Sequence, residues 1–393
     1  MSRPTGAEIL QQVLRSALAL EADSPVTVWP TIPEDRQEKF VAEVLRHRVV
    51  GVIAPVLESL DLSDPWRDRL IAERSQDVLE SMRLQSVAVT VVDALTSAGV
   101  RVLVYKGVAL AAQTTADPSS RGSGDLDLLI APQDVPKAHA ALRRLGASLV
   151  DGYIPIPGSP LWPTARRIGC EAPYRFRSVN LDLHWRIDPT PQIASMPYEE
   201  LWERRSEVKL GGVSIPTLGV LDSLLITCVH GTKEQWHQWR WVVDAVRQLR
   251  SVPTESWVDV KRLSHRTGCH VGLSVGTAIA ARLATVPAPC LGGPKAERLA
   301  EQAWTQAEKG TAPFGRITRA KQLERLAWRF RTLPSPTSAG SVLARAAWSN
   351  LDMAEQPLHP CLLWTYPLMR PYLWARRFKS GRYLVSARPG KAS

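Results

Sequence analysis

Cysteine is scarce and scattered. Cys170, Cys228, Cys269, Cys290 and Cys361 are the only five in 393 residues, and no two form a Cys-x-x-Cys pair. This argues against a paired-cysteine zinc module and a disulfide framework, and it fits a reducing, cytoplasmic setting. Long apolar runs are missing as well. A membrane-spanning helix needs about 18 or more consecutive apolar residues; the nearest approach, 270–281, is stopped by Arg282. No transmembrane segment is expected. The opening Met-Ser-Arg-Pro-Thr-Gly-Ala-Glu has no apolar centre of the kind that marks a secretory leader. Acids vanish from the end of the chain: none follows Glu355, whereas seven lysines or arginines do.

The length predicts two or three domains, and 45% hydrophobic residues supply a sizeable core. The formal net charge is +11 and the pI about 9.7. That balance favours anionic partners such as a nucleoside triphosphate, nucleic acid or an acidic peptide, although arginine-rich soluble proteins share it.

Chemistry concentrates between Lys106 and Ile130. Val102-Leu-Val-Tyr-Lys106-Gly107 reads as a buried strand entering a tight turn, and Asp125-Leu-Asp127-Leu-Leu-Ile130 as a second strand. Side chains alternate across a strand, so Asp125 and Asp127 share one face. Two carboxylates on one face of a buried strand repel each other and are costly to desolvate. A divalent cation offsets this, and carboxylate oxygens suit Mg²⁺ or Mn²⁺.

A third carboxylate lies in 170–187, which reads as a hairpin with its turn near Val179–Asn180. In the second arm Asp182, His184 and Arg186 take one face, and Leu181, Leu183 and Trp185 the other. Asp182 beside Asp125 and Asp127 would complete a cluster able to hold two cations roughly 3.5–4 Å apart, the arrangement that assists in-line phosphoryl displacement.

Lys106-Gly107, then Arg121 ahead of Asp125-Leu-Asp127, then Asp182-Leu-His-Trp185, resembles the bacterial uncharacterised nucleotidyltransferase family of the DNA polymerase beta-like nucleotidyltransferase superfamily. The resemblance covers roughly residues 40–250. It implies an α+β fold, in which a nucleotidyltransferase-like mixed sheet is flanked by N-terminal and C-terminal helical regions. It also implies Mg²⁺ or Mn²⁺ on Asp125, Asp127 and Asp182, with a nucleoside triphosphate as substrate. The sequence departs from the superfamily in one place: Val108 follows Gly107 where a serine usually touches the triphosphate. Gly122-Ser123 stands too close to Asp125 to replace it, so phosphate contacts are expected from backbone N–H groups after Gly107, or from Lys106 and Arg121. Alternatively, Lys106 snorkels from a strand end, and Arg121 pairs with Asp117 or Asp125.

Four regions follow from the patterning: 1–97 helical, 98–216 the αβ core, 217–310 a helical domain packing on the core, and 311–393 a basic, Trp-rich helical tail. The first contains helices at 6–22 and from Pro33, then a long helix over 65–97 with Leu79, Met82, Leu84, Val87 and Val91 as apolar positions. Pro- and Gly-rich 153–169 reads as a loop over the site or on the surface. Residues 219–250 read as one helical element in which His230, His237 and Asp244 recur every seven residues and share a face if the helix is continuous. That spacing puts them about 10 Å apart along the axis, too far for one ion, so the face is read as docking on the sheet. His230 and Lys233 are the expected nucleotide contacts, and His184 is read as a supporting group rather than a ligand.

The tail suits nucleic-acid stacking, a membrane surface, or packing of its tryptophans on the core. Its last residues, 388–393, are expected to be disordered. The resulting expectation is transfer of a nucleoside monophosphate to a small-molecule or peptide acceptor. The competing readings are an RNA-modifying, toxin-like transferase and a non-catalytic nucleotide-binding protein of the same fold.

Overall fold

The computed structural model describes residues 4–26, 29–115, 117–289, 291–309 and 319–379. Cys290 and the expected disorder of 388–393 lie outside them. A five-stranded mixed sheet forms the centre, in the order β1-β2-β5-β4-β3. Its strands are β1 (Val102–Tyr105), β2 (Asp125–Ile130), β3 (Ser148–Leu149), β4 (Glu171–Phe176) and β5 (Val179–His184). β2 and β5 are parallel and the other pairings antiparallel. A separate hairpin joins β6 (Ser206–Leu210) to β7 (Val213–Thr217). Helices precede and follow the sheet, which gives the α+β architecture the resemblance implied.

The sheet divides two cores. Val102, Val104, Leu126, Leu128, Ile130, Leu181 and Leu183 face the long helix Asp64–Ser97 and the helix Val135–Arg144 through Leu84, Val87, Val91, Ala138 and Leu142. On the other face only Leu103, Tyr105 and Leu129 join a core, shared with the N-terminal helices and the helices Val220–Lys233 and Trp239–Arg250. Apart from Pro173, the remaining positions of β2, β4 and β5 there are polar or charged.

Several expectations are corrected. Leu79 and Met82 are 60% and 61% exposed, so only the C-terminal half of their helix is buried along its length. Residues 153–169 are not loop throughout, because helix Trp162–Ile168 closes the segment. The β4–β5 turn is at Arg177 and Ser178, two residues earlier than expected. Both have positive φ (47° and 65°), as a two-residue hairpin turn requires. Asn180 has the usual turn chemistry yet lies in the strand. β5 ends at His184, and the Arg186 guanidinium instead donates to the carbonyls of Arg166, Arg167 and Gly169.

Residues 219–250 form two helices rather than one. Gln235 and Trp236 turn the chain in the left-handed region, and the Trp236 N–H donates to the Gly231 carbonyl at 2.9 Å. Gly231 does not break the helix. It admits the fully buried Trp236 ring, which a Cβ at this position would meet at 2.6 Å. The seven-residue line His230–His237–Asp244 is therefore interrupted.

Candidate active site

The sheet's polar face opens into a cleft of about 160 Å³ whose lining includes Lys106, Gly107, Arg121, Asp125, Asp127, Glu171, His184, Asp188, His230, Lys233 and Arg240. Strand register builds its floor. Asp127 lies opposite Asp182 in the parallel pair and opposite Tyr105 in the antiparallel one, while Asp125 lies opposite Asn180. Register also sets Glu171 against His184. Period-two alternation thus gathers Asp125, Asp127, Asp182, His184 and Glu171 on one face.

Asp127 is the hub. Its Oδ1 accepts from Lys106 Nζ at 3.3 Å and lies 3.0 Å from His184 Nε2. Burial pushes its carboxyl up, but Lys106 and the hydrogen bond from His184 outweigh this and hold it well below the usual carboxylate range. Asp182 behaves oppositely: burial, then Glu171 and Asp127, push its carboxyl well above that range. Neighbouring carboxyls moved in opposite directions are a recurrent mark of functional sites. Glu171 is lowered against its burial by His184, Lys233 and Lys106, and it accepts from the Tyr153 hydroxyl at 3.2 Å.

Lys106 follows β1 with φ 56°, and Gly107 comes next with φ 42°. This turn aims the ammonium back to Asp127 and 4.7 Å from the Tyr105 ring centroid. A Cβ on Gly107 would come within 2.7 Å of Ser123 Oγ. The loop before β2 therefore returns Ser123 to the Lys-Gly turn, a proximity hidden by its nearness to Asp125 in sequence.

A cationic wall faces the acids. Arg121 Nε donates to both carboxylate oxygens of Asp244 at 2.9 Å. Its partner is thus neither Asp117, which takes Arg74, nor an acid of the floor. Arg240 donates to the Gly122 carbonyl at 3.2 Å, and burial beside Arg121 and Arg48 lowers its pKa. Lys233 reaches the cleft with an exposed residue surface, and Cys170, Glu171 and Asp188 outweigh the partial desolvation of its amine and hold it as an ammonium. Burial, then Lys106 and Lys233, push His230 far down, so its imidazole is neutral and packs edge-on to Trp241 with centroids 5.6 Å apart. His237 packs on the same tryptophan at 4.5 Å.

All eight residues expected from sequence reach this neighbourhood. Lys106, Gly107, Arg121, Asp125, Asp127, His230 and Lys233 line the cleft, and Asp182 is buried beside Asp127. Three further residues were not foreseen. Glu171 needed the correct hairpin register to be seen opposite His184. Asp188 follows β5 with no motif to mark it. Arg240 reaches the cleft only through the break after Lys233.

The tail contributes as well. Trp328 Nε1 donates to the Thr232 carbonyl at 2.7 Å, and Arg329 pairs with Asp188 at the cleft. Among the described residues, one three-ligand set that could hold a cation is Asp127, Asp182 and His184, each offering an atom within 4.8 Å of the others. Two oxygens and one imidazole nitrogen around a raised carboxyl fit a divalent ion.

The model of the uncharacterised nucleotidyltransferase family matches residues 33–285. The chain belongs to that family. The match spans the helices from Glu34, the whole sheet and the helices of the cationic wall, a wider stretch than the residues that carried the resemblance. A search of curated proteins finds no match. Among the described residues no helix is long and apolar enough to cross a membrane.

Proposed function

We propose that this family member is a metal-dependent nucleotidyltransferase. It moves a nucleoside monophosphate from a nucleoside triphosphate to a hydroxyl or phosphate of a small-molecule or peptide acceptor. The observation that carries the reading is the Asp127–Asp182 register on the floor of a cleft whose opposite wall is cationic. The residues that would hold Mg²⁺ or Mn²⁺ are Asp125, Asp127 and Asp182. A bound divalent ion supplies charge compensation to the triphosphate and to the attacking and leaving oxygens.

The chain's own residues do the positioning. Lys233, Arg240, Arg121 and the backbone after Gly107 receive the phosphates; Lys106, once released from Asp127, joins them. Neutral His230 donates or accepts a hydrogen bond without adding charge. Asp182, with its raised carboxyl, takes the proton of the acceptor hydroxyl as that oxygen attacks the α-phosphorus and pyrophosphate leaves. Positioning and electrostatics carry the rate. Regions 98–216 and 217–310 act as one catalytic unit, because the acids come from the first while the cations are shared, Lys106 and Arg121 from the first and Lys233 and Arg240 from the second. The buried free thiols Cys170, Cys228 and Cys269 support a cytoplasmic location.

The test is incubation with α-phosphate-labelled nucleotides, Mg²⁺ and cell extract, followed by mass spectrometry for monophosphate additions. Transfer by wild type that disappears in Asp125→Ala/Asp127→Ala supports the reading. Undiminished transfer by that double variant defeats it. Binding of nucleotides without turnover across acceptors favours the non-catalytic alternative.

An RNA acceptor is the second reading, favoured by Trp364 and Tyr372, exposed at 64% and 65% in an otherwise basic tail. Deleting residues 356–393 is a poor test. It removes the buried Tyr366 and Leu373, and it strips Arg370 and Arg377 from the buried Asp352. Trp364→Ala/Tyr372→Ala keeps those contacts. A loss of salt-sensitive RNA affinity in this variant supports the RNA reading.

A further inference from the structure

Beside the floor of the cleft stands a second set of donors that the transfer reading does not use. Cys170 immediately precedes β4, Glu171 opens it, and register places Glu171 opposite His184. One atom from each of Cys170, Glu171 and His184 lies within 4.8 Å of the others. The set is protected: Cys170 is 6% exposed and His184 2%.

The two nitrogens of His184 differ. Nε2 is engaged by Asp127 at 3.0 Å. Nδ1 is buried, makes no hydrogen bond, and lies 3.5 Å from Glu171 Oε2. A buried imidazole nitrogen without a hydrogen bond is costly. Here it faces a carboxylate and a thiol, which is the donor set of a softer cation than magnesium. Thiolate, imidazole and carboxylate together select Zn²⁺ and its relatives over Mg²⁺. Donors around a tetrahedral zinc stand about 3.5 Å apart, so small side-chain rotations suffice to close the set. Glu171 and His184 also line the cleft, which leaves room for a fourth, solvent ligand.

We propose that Cys170, Glu171 and Nδ1 of His184 form a binding site for a thiophilic divalent cation of the Zn²⁺ class, separate from the carboxylates assigned to Mg²⁺ but joined to them through His184. On binding, the Cys170 S–H bond breaks, the proton goes to solvent and a metal–sulfur bond forms, with no change of oxidation state. His184 is then fixed as the tautomer that donates from Nε2 to Asp127. With the thiol proton lost, the bound cation adds a net single positive charge next to Asp127, which disfavours a second cation there, so zinc antagonises magnesium. This last consequence rests on the nucleotidyltransferase reading; the binding itself does not.

Cobalt(II) titration of the full chain tests the site without reference to activity. A thiolate-to-cobalt charge-transfer band in the near ultraviolet, displaced by Zn²⁺, is expected from wild type and from Asp125→Ala. It is expected to vanish in Cys170→Ser and Cys170→Ala, two variants chosen so that misfolding of one does not decide the matter. No band in wild type overturns the site, and so does a band that survives both Cys170 variants, since it would come from another cysteine. In the transfer assay, saturating zinc should lower wild-type turnover by about tenfold or more and leave Cys170→Ala nearly unaffected, consistent with like charges a few ångströms apart. A band without any transfer supports the zinc site and removes the enzymatic reading. Transfer with no band does the reverse.

Discussion

The two faces of the central sheet are made by the same strands, yet they are different materials. Leu126 and Leu128 alternate with Asp125 and Asp127 along β2, and Leu181 and Leu183 with Asp182 and His184 along β5. One face closes into a dry aliphatic core against the long helix Asp64–Ser97. The other holds acids that repel one another beside cations that are expensive to bury. The apolar face supplies stability through buried area and packing. The polar face costs stability, and the helices over it exist to orient charge. Substitutions on the two sides should therefore separate folding from chemistry.

The largest separation is expected at Asp127. Asp127→Asn should lower transfer by about a thousandfold or more, as loss of a metal ligand worth several kcal/mol implies. The melting temperature should shift little, since the amide relieves the repulsion on Asp182 while weakening the pairing with Lys106 and His184. A cooperative melt far below wild type would remove the division of labour between the faces. Asp244 blurs the boundary on purpose. Asp244→Ala leaves the Arg121 guanidinium without its bidentate partner, and breaking such a buried pair costs about 3–5 kcal/mol. Denaturant unfolding should show that loss, and calorimetry should show weaker triphosphate binding as Arg121 is misplaced.

Leu128→Ala is the mirror experiment. It is expected to lose about 2–5 kcal/mol in denaturant unfolding, while the turnover of the molecules that remain folded stays near wild type.

A further effect tests the helical layer over the polar face through pH. His47 is buried, and its Nδ1 accepts from the Trp239 N–H at 3.0 Å. Burial lowers its pKa from 6.5 to about 4 in spite of Glu43. The unfolded chain takes up a proton near pH 6.5 that the folded chain refuses until about pH 4. Stability from this group is full above that upper value and drains away as pH falls toward the lower one, by about 3 kcal/mol in all. Denaturation of wild type and His47→Gln at pH 7 and pH 4.5 should show the steeper loss in wild type.

The acids of the floor were legible because strand alternation is a short-range rule: Asp125, Asp127 and Asp182 needed only their neighbours in sequence. The basic wall was legible only in part. Lys106, His230 and Lys233 sit in recognisable elements, but the Arg121–Asp244 pair spans 123 residues and no local pattern announces it. The break after Lys233 was hidden because Gln235 and Trp236, rather than glycine, take the left-handed turn. The hairpin turn was misplaced because Asn180 tolerates the left-handed region more readily than Arg177 and Ser178, which occupy it here. That error kept the parity of the strand, so the face assigned to Asp182 was right while the register that sets Glu171 against His184 stayed out of view. Leu79 and Met82 failed in another way, since helical periodicity says which residues share a side and not whether anything covers it.

The contact between Arg329 and Asp188 also sets a timetable. The two partners are 141 residues apart. During synthesis at about 5–20 residues per second, Asp188 waits roughly 7–30 s for its guanidinium. Through that interval the sheet can already be paired while the cleft is electrostatically unfinished. The nascent chain can thus complete the contacts of its sheet before the Arg319–Arg331 helix brings the partner of Asp188 to the cleft.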